Sequence, residues 1–289
     1  MRKFCLVLFF LFFVTVSGYA SVLEDANNEV LSKNYFKAIQ LYSEACENNN
    51  PEGCLKLGQA YYDNSQKFKI KADPLKASKL FTRACDSGLA DGCNYVGWMY
   101  RLGKDIGYND AKKKEYYQKA ATLYTKSCSD GDVASCRGLA NLYSIGEGVK
   151  YEEKKAISLY SMACEKNDMM ACTSLGLMYK ESANYVSTDL KKSVKYLTFA
   201  CDNNFGNACD NLGFMYQHEP KMGKNYPKAI SLYTKACSLG SGCHHLGQIY
   251  EELNKINEAK KYYKMSCDEG EWSFSCEEYD RLNNGIKRD

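Results

Sequence analysis

The side chains able to do chemistry here are mostly thiols, and their spacing is regular. Fourteen of the 15 cysteines fall into pairs: Cys46 and Cys54, Cys85 and Cys93, Cys128 and Cys136, Cys164 and Cys172, Cys201 and Cys209, Cys237 and Cys243, Cys267 and Cys276. Five pairs share a spacing of 8, one has 6 and the last has 9. Thiols can bind metal, exchange electrons or form structural disulfides. Metal and exchange sites want C-x-x-C spacing or cysteine mixed with histidine. No C-x-x-C occurs, and the only histidines are His218, His244 and His245, the last two directly after Cys243. No metal and no cofactor is expected, and the adjacent His244 and His245 read as an incidental exposed pair.

The remaining thiol, Cys5, lies in a segment with its own pattern. Arg2 and Lys3 precede an apolar run from Phe4 to Val16, and the small residues Gly18 and Ala20 flank Tyr19. That is the layout of a secretory signal peptide cleaved near Ala20, and the run is short of the roughly 20 apolar residues that a spanning helix needs. Cleavage would leave 14 cysteines and a net charge of +1, from 36 basic against 35 acidic side chains. The expected product is secreted or periplasmic, without a membrane span, in a compartment where disulfides persist. Charge this close to balance excludes a broad basic field and argues against nucleic acid as a partner.

The thiols require elements that bring each pair together. Eight residues before each first cysteine stands a small residue (Ala38, Ala77, Ala120, Ala156, Ser193, Ala229, Ala259), and large apolar residues come five and four before it, as in Leu41-Tyr42 and Leu232-Tyr233. These positions lie on one helical face. Three residues after each first cysteine comes Asn49, Gly88, Gly131, Asn167, Asn204, Gly240 or Gly270. Glycine and asparagine most readily take the left-handed conformation that closes a helix C-terminus. A second helix is expected to start around the second cysteine. It carries Leu or Val at +3, Gly or Ala at +4 and Tyr at +7 in the first six repeats, as in Leu57-Gly58 with Tyr61. Glycine recurring inside a helix marks a crossing too close for a Cβ.

The chain thus reads as about seven two-helix repeats over residues 21–289, after a signal peptide at 1–20. Insertions at Phe68–Asp73 and Gly107–Lys114 are expected to be surface loops, and residues 272–289 a polar C-terminal cap, as an open-ended solenoid needs. A cysteine in the last turn of one helix can meet one at the start of the next, so each pair is expected to staple one hairpin.

The pattern Ala-Cys-x-x-(Gly/Asn)-x-x-x-x-Cys-x-x-Leu-Gly-x-x-Tyr, followed by Gly-x-Gly and Lys-Ala-x-x-Leu-Tyr, resembles Sel1-like repeats, relatives of the tetratricopeptide repeat. With paired cysteines and a signal peptide it looks like the Helicobacter cysteine-rich proteins. The resemblance implies an all-α, right-handed α/α superhelix with one disulfide per repeat. It also implies secreted antigens, and a β-lactamase or penicillin-binding activity. A serine enzyme of that kind needs S-x-x-K with S-D-N and K-T-G; none occurs, nor any zinc-hydrolase His motif. No catalytic residue is assigned, and β-lactam hydrolysis stands only as the alternative reading.

Binding has more to attach to. With positions 0, +3, +4, +6 and +7 of the second helix in the core, +1, +5 and +8 form the opposite stripe. It includes Gln59, Tyr62, Asn94, Trp98, Arg101, Arg137, Asn141, Asp210, Phe214, Gln217, His244 and Gln248. Aromatics mixed with amides and arginine suit an extended ligand. The expected function is a monomeric scaffold holding a peptide or a peptidoglycan-like cell-envelope ligand in its groove, with host proteins as further partners.

Overall fold

The computed structural model describes residues 22–62, 68, 70–103, 105–181, 189–268, 270 and 273–286. The signal-peptide segment lies outside them. Among the described residues there is no strand, and no helix is long and apolar enough to cross a membrane. The chain divides into two compact units, Met1–Tyr151 and Glu152–Asp289.

The first unit opens with α1 (22–31) and continues with three hairpins: α2 (Tyr35–Glu47) with α3 (Pro51–Tyr62), α4 (Pro74–Asp86) with α5 (Ala90–Leu102), and α6 (Asp110–Ser129) with α7 (Val133–Ile145). The second unit holds four: α8 (Glu153–Glu165) with α9 (Met169–Glu181), α10 (Leu190–Asp202) with α11 (Gly206–His218), α12 (Tyr226–Ser238) with α13 (Cys243–Glu252), and α14 (Ile256–Asp268) with α15 (Ser273–Asn283). Within each unit the second helix of a hairpin also packs on the first helix of the next, as α3 does on α4 and α11 on α12.

All seven cysteine pairs form disulfides within their own hairpins, with Cα atoms 4.5–4.8 Å apart. Helix closure follows the residue types. Asn49, Asn167 and Asn204 sit at φ of 62°, 63° and 62°, and Gly88, Gly131, Gly240 and Gly270 also have positive φ. The next amide then reaches back to the last turn, as Asn50 N–H does to Ala45 O at 2.9 Å and Phe205 N–H to Ala200 O at 3.1 Å, the six-to-one bond of a Schellman motif. The chain leaves each first helix in the same direction, which delivers the second cysteine to the first.

Second helices start earlier than their cysteines in six hairpins. Pro51, Ala90, Val133, Met169, Gly206 and Ser273 each stand three residues ahead, and only α13 begins at its cysteine. The small residues eight before each first cysteine are fully buried, and the +4 glycines touch the next hairpin. A Cβ on Gly58 would lie 2.7 Å from the Phe81 ring, one on Gly213 2.8 Å from Tyr233, and one on Gly247 2.7 Å from Tyr263. Of the six +7 tyrosines only Tyr179 is buried, and the other five are half-buried, less deep than a core assignment implies. A lysine from the next first helix covers several of them, with Lys76 Nζ 4.0 Å from the Tyr61 ring and Lys228 Nζ 4.2 Å from Tyr216.

Two expectations change. Residues Asp110–Lys114, read as part of a surface loop, are the first turns of α6, which at 20 residues is seven longer than most of its counterparts. Asn109 caps it by accepting from Lys112 N–H, and the lysine-rich start favours helix. Gly97 accordingly meets Tyr117, seven residues earlier than the Tyr124 that the repeat pattern aligns with it. The second change is α1, which was not anticipated. Its Leu23, Ala26 and Val30 pack on Ala38, Tyr42 and Leu57, and Asn27 Oδ1 accepts from Tyr42 Oη at 2.7 Å.

Candidate binding clefts on the second helices

At about 100° per residue, position +5 is the centre of each second helix's outer stripe, with −2 beside it and +1 and +2 at its two edges. The +1 and +8 edge turns toward the following hairpin and the +2 edge toward the preceding one. The +2 edge of one second helix therefore meets the centre or the +1 edge of the second helix before it. In the first unit Gln59 (+5, α3) donates from Nε2 to Tyr95 Oη (+2, α5) at 3.0 Å. In the second unit Asp210 (+1, α11) accepts from His245 Nδ1 (+2, α13) at 2.8 Å.

Each unit carries an open cleft along this seam. The first encloses about 710 Å³ and is lined by Asn27, Val30, Leu31, Tyr42, Lys56, Gln59, Tyr62, Phe68 and Tyr95. Tyr62 meets Trp98 edge-on at 5.1 Å between ring centroids, and Tyr95 stacks on Phe81 at 4.6 Å. Burial pushes the Tyr95 hydroxyl above its ordinary pKa, against the opposing effect of the Gln59 hydrogen bond, so it stays neutral and can both donate and accept.

The second cleft encloses about 680 Å³ and lies over α9, α11 and α13. Met170, Leu177 and Phe205 supply apolar surface, while Thr173, Ser174, Asn207, Asp210, Asn211, Ser241 and His245 supply polar atoms. His245 is fixed from two sides: its ring stacks on Tyr233 at 5.5 Å and meets Phe214 at 5.9 Å. Lys180 Nζ stands 5.4 Å from the Phe214 ring centroid, and His218 packs on the same ring at 4.4 Å. Burial holds the His218 imidazole below its ordinary pKa despite the nearby Glu252. Among the described residues no group of three or more His, Cys, Asp or Glu converges as a metal site.

The stripe read from sequence is only partly what lines these clefts. Gln59 and Tyr62 line the first and Asp210 lines the second. Trp98 and Phe214, the latter 38% exposed, stand immediately beside the cleft residues. Asn141 and Arg101 are exposed, and Asn94, Arg137 and Gln248 are half-buried. Gln217 and His244 are corrections, at 2% and 6% exposure. They sit at +8 and +1, and the following hairpin covers that edge. Gln217 Oε1 accepts from Tyr233 Oη at 2.8 Å and its Nε2 donates to Glu252 at 3.0 Å. His244 pairs through Nδ1 with Ser275 Oγ at 2.8 Å and through Nε2 with Gln248 at 2.9 Å, so the histidine pair is not an exposed one. The +2 residues Lys56, Tyr95, Ser174, Asn211 and His245 were missed. Angular counting would have found them, since +2 lies as near the stripe's edge as +1 does.

A run of disulfide-stapled helical hairpins with a ligand-sized seam on its second helices defines a tandem-repeat interaction scaffold. The chain belongs to the Sel1 repeat family: the family model matches residues 29–50, 51–89, 90–132, 133–168, 170–205, 206–241 and 242–271. Sel1 repeats are protein-interaction modules. Among solved structures, a Sel1 repeat protein from Oxalobacter formigenes is 23% identical, with a TM-score of 0.54 over 85% of this chain and 99% of that one. A protective antigen of uropathogenic Escherichia coli strains that displays the SLR fold is 22% identical, with a TM-score of 0.52 over 88% of this chain. The match covers 54% of that antigen, so the chain spans about half its length. Helicobacter pylori cysteine-rich protein B is 31% identical over 48% of this chain and 92% of its own, with a TM-score of 0.32. No curated protein matches the chain.

Proposed function

We propose that the protein is an exported scaffold that holds an extended peptide, or a peptidoglycan-like segment of the cell envelope, along its second helices. The observation that carries this reading is the pair of clefts of about 710 and 680 Å³: the first has α3 and α5 on one side and α1, α2 and Phe68 on the other, and the second lies over α9, α11 and α13. Both mix apolar surface with amide, hydroxyl and aromatic groups, which hold a backbone without demanding one sequence. Export fits the seven disulfides, since such bonds persist in oxidising compartments and are rare in the cytosol. Residues 1–20 then act as the secretion signal, and the product works in the periplasm or beyond it.

The test is saturable binding by the purified, oxidised protein, scored by calorimetry against peptide and peptidoglycan-fragment pools. Trp98→Ala should weaken a ligand of the first cleft by about 2 kcal/mol, the size of an aromatic anchor's contribution, with the helical circular dichroism unchanged. Absence of saturable binding to either pool contradicts the reading.

A further inference from the structure

The two clefts differ in charge. The residues lining the first include Lys56, whose Nζ pairs with Glu52 at 3.5 Å, and no carboxylate. Those lining the second include one carboxylate, Asp210, and neither lysine nor arginine. Asp210 is also the residue that the irregular sixth repeat builds around. Its cysteines, Cys237 and Cys243, are 6 apart instead of 8, and the shortened loop places Gly242 at φ 81° against the Asp210 carboxylate. A Cβ there would lie 2.8 Å from Oδ1. The same repeat supplies His245, whose Nδ1 lies 2.8 Å from Asp210 Oδ1. The imidazole fixes the orientation of the carboxylate that accepts from it. Both side chains are only about one-fifth exposed, 20% for Asp210 and 17% for His245, and a charge set in a poorly solvated wall acts on ligands more strongly than one in open water.

We propose that the second cleft selects basic segments: an extended peptide lies over α9, α11 and α13 with a lysine or arginine side chain against Asp210. This rests on the peptide-holding reading above and narrows it to one cleft and one charge class. The nearest cation in the ring contacts, Lys180, is held over Phe214 and is not among the lining residues, so it does not occupy the place of the ligand's charge. Ser174 lines the same cleft, as do Asn207, whose Oδ1 accepts from Ser241 Oγ, and Asn211, whose Nδ2 donates to Asn207 O, and their remaining polar atoms would face the peptide backbone.

The experiment is selection of a random heptapeptide library on the immobilised, oxidised full chain, followed by affinity measurement on the recovered peptides. Lysine and arginine should be enriched about threefold over the input, and Asp210→Asn should weaken the recovered peptides by about tenfold, as loss of one partly buried charge partner does. Asp210→Glu should retain most of the affinity, and Lys79→Gln, on an exposed face of α4, should leave it unchanged. Circular dichroism of each variant separates loss of charge from loss of fold. Peptides that bind saturably but are neutral or acidic, or affinities indifferent to Asp210→Asn, overturn this proposal and leave the peptide-holding reading standing. No saturable binding of any peptide overturns both.

Discussion

At the residue scale, the glycine at +4 is the most constrained position in the pattern. Gly247 faces the ring of Tyr263, which is fully buried and donates its hydroxyl to Glu251 at 3.0 Å. A Cβ would lie 2.7 Å from that ring, so the ring must shift and its hydrogen bond with it. Gly247→Ala should therefore destabilise the protein by about 1–2 kcal/mol, because overpacking outweighs the helix preference of alanine. Urea denaturation checks this, and a stabilised variant would show that the crossing is looser than described. The need for glycine was legible in the sequence, since it recurs inside a helix. Its partner was not. The side chain it meets comes from the next hairpin: the ring of Phe81, Tyr233 or Tyr263 in three cases, Leu197 at Gly176, and the displaced Tyr117 at Gly97. The burial of His244 and Gln217 was illegible for a related reason: a helical wheel for one helix does not show which edge the following hairpin covers.

At the scale of elements, the hairpin was legible almost completely, because its signals are local. The paired thiols, the asparagine or glycine after the first helix, and the small residues at −8 and −1 each act within about 15 residues. Loops were less so. The insertion before Lys114 extends a helix because Asn109 caps it and Tyr117 finds Gly97, and the second of these is a long-range contact. Two predictions belong here. Replacing both Cys164 and Cys172 by serine should cost about 2–3 kcal/mol, the loop-closure value for a ring of this size. Equal unfolding midpoints for that variant and the parent would contradict the staple model. Asp189 caps α10 by accepting from Lys192 N–H at 3.0 Å, and that bond, with Lys192 beside it, holds the carboxyl below its ordinary pKa. A depressed folded-state value gives stability that is present above the unfolded value and lost as pH falls through the folded one. The stability gap between the parent and Asp189→Asn should therefore be largest near neutral pH and shrink as pH falls below the ordinary aspartate pKa of about 3.9. A gap that persists unchanged in acid would show that the charge contributes nothing.

At the scale of the molecule, seven Sel1 repeats each match a stretch of chain and seven local disulfides staple the hairpins, and in the proposed reading function falls to what successive second helices present together. Here the sequence was read in the right region but one edge off. The stripe centred on +5 is present, yet the side chains that close the clefts include +2 residues such as Tyr95, Asn211 and His245, which depend on how neighbouring repeats stack. The absence of S-x-x-K, S-D-N and K-T-G leaves the β-lactamase alternative without a motif. The second-helix seam as the working surface is the central claim, and site-specific photo-cross-linking tests it most directly. A photoreactive phenylalanine analogue is placed at Gln59 or Phe214 on the seam, or at Lys79 or Lys191 on exposed faces of first helices, and each protein is irradiated with the peptides recovered from the library. Adducts that form from Gln59 or Phe214 and not from Lys79 or Lys191 are the predicted result; adducts confined to Lys79 or Lys191 would contradict it.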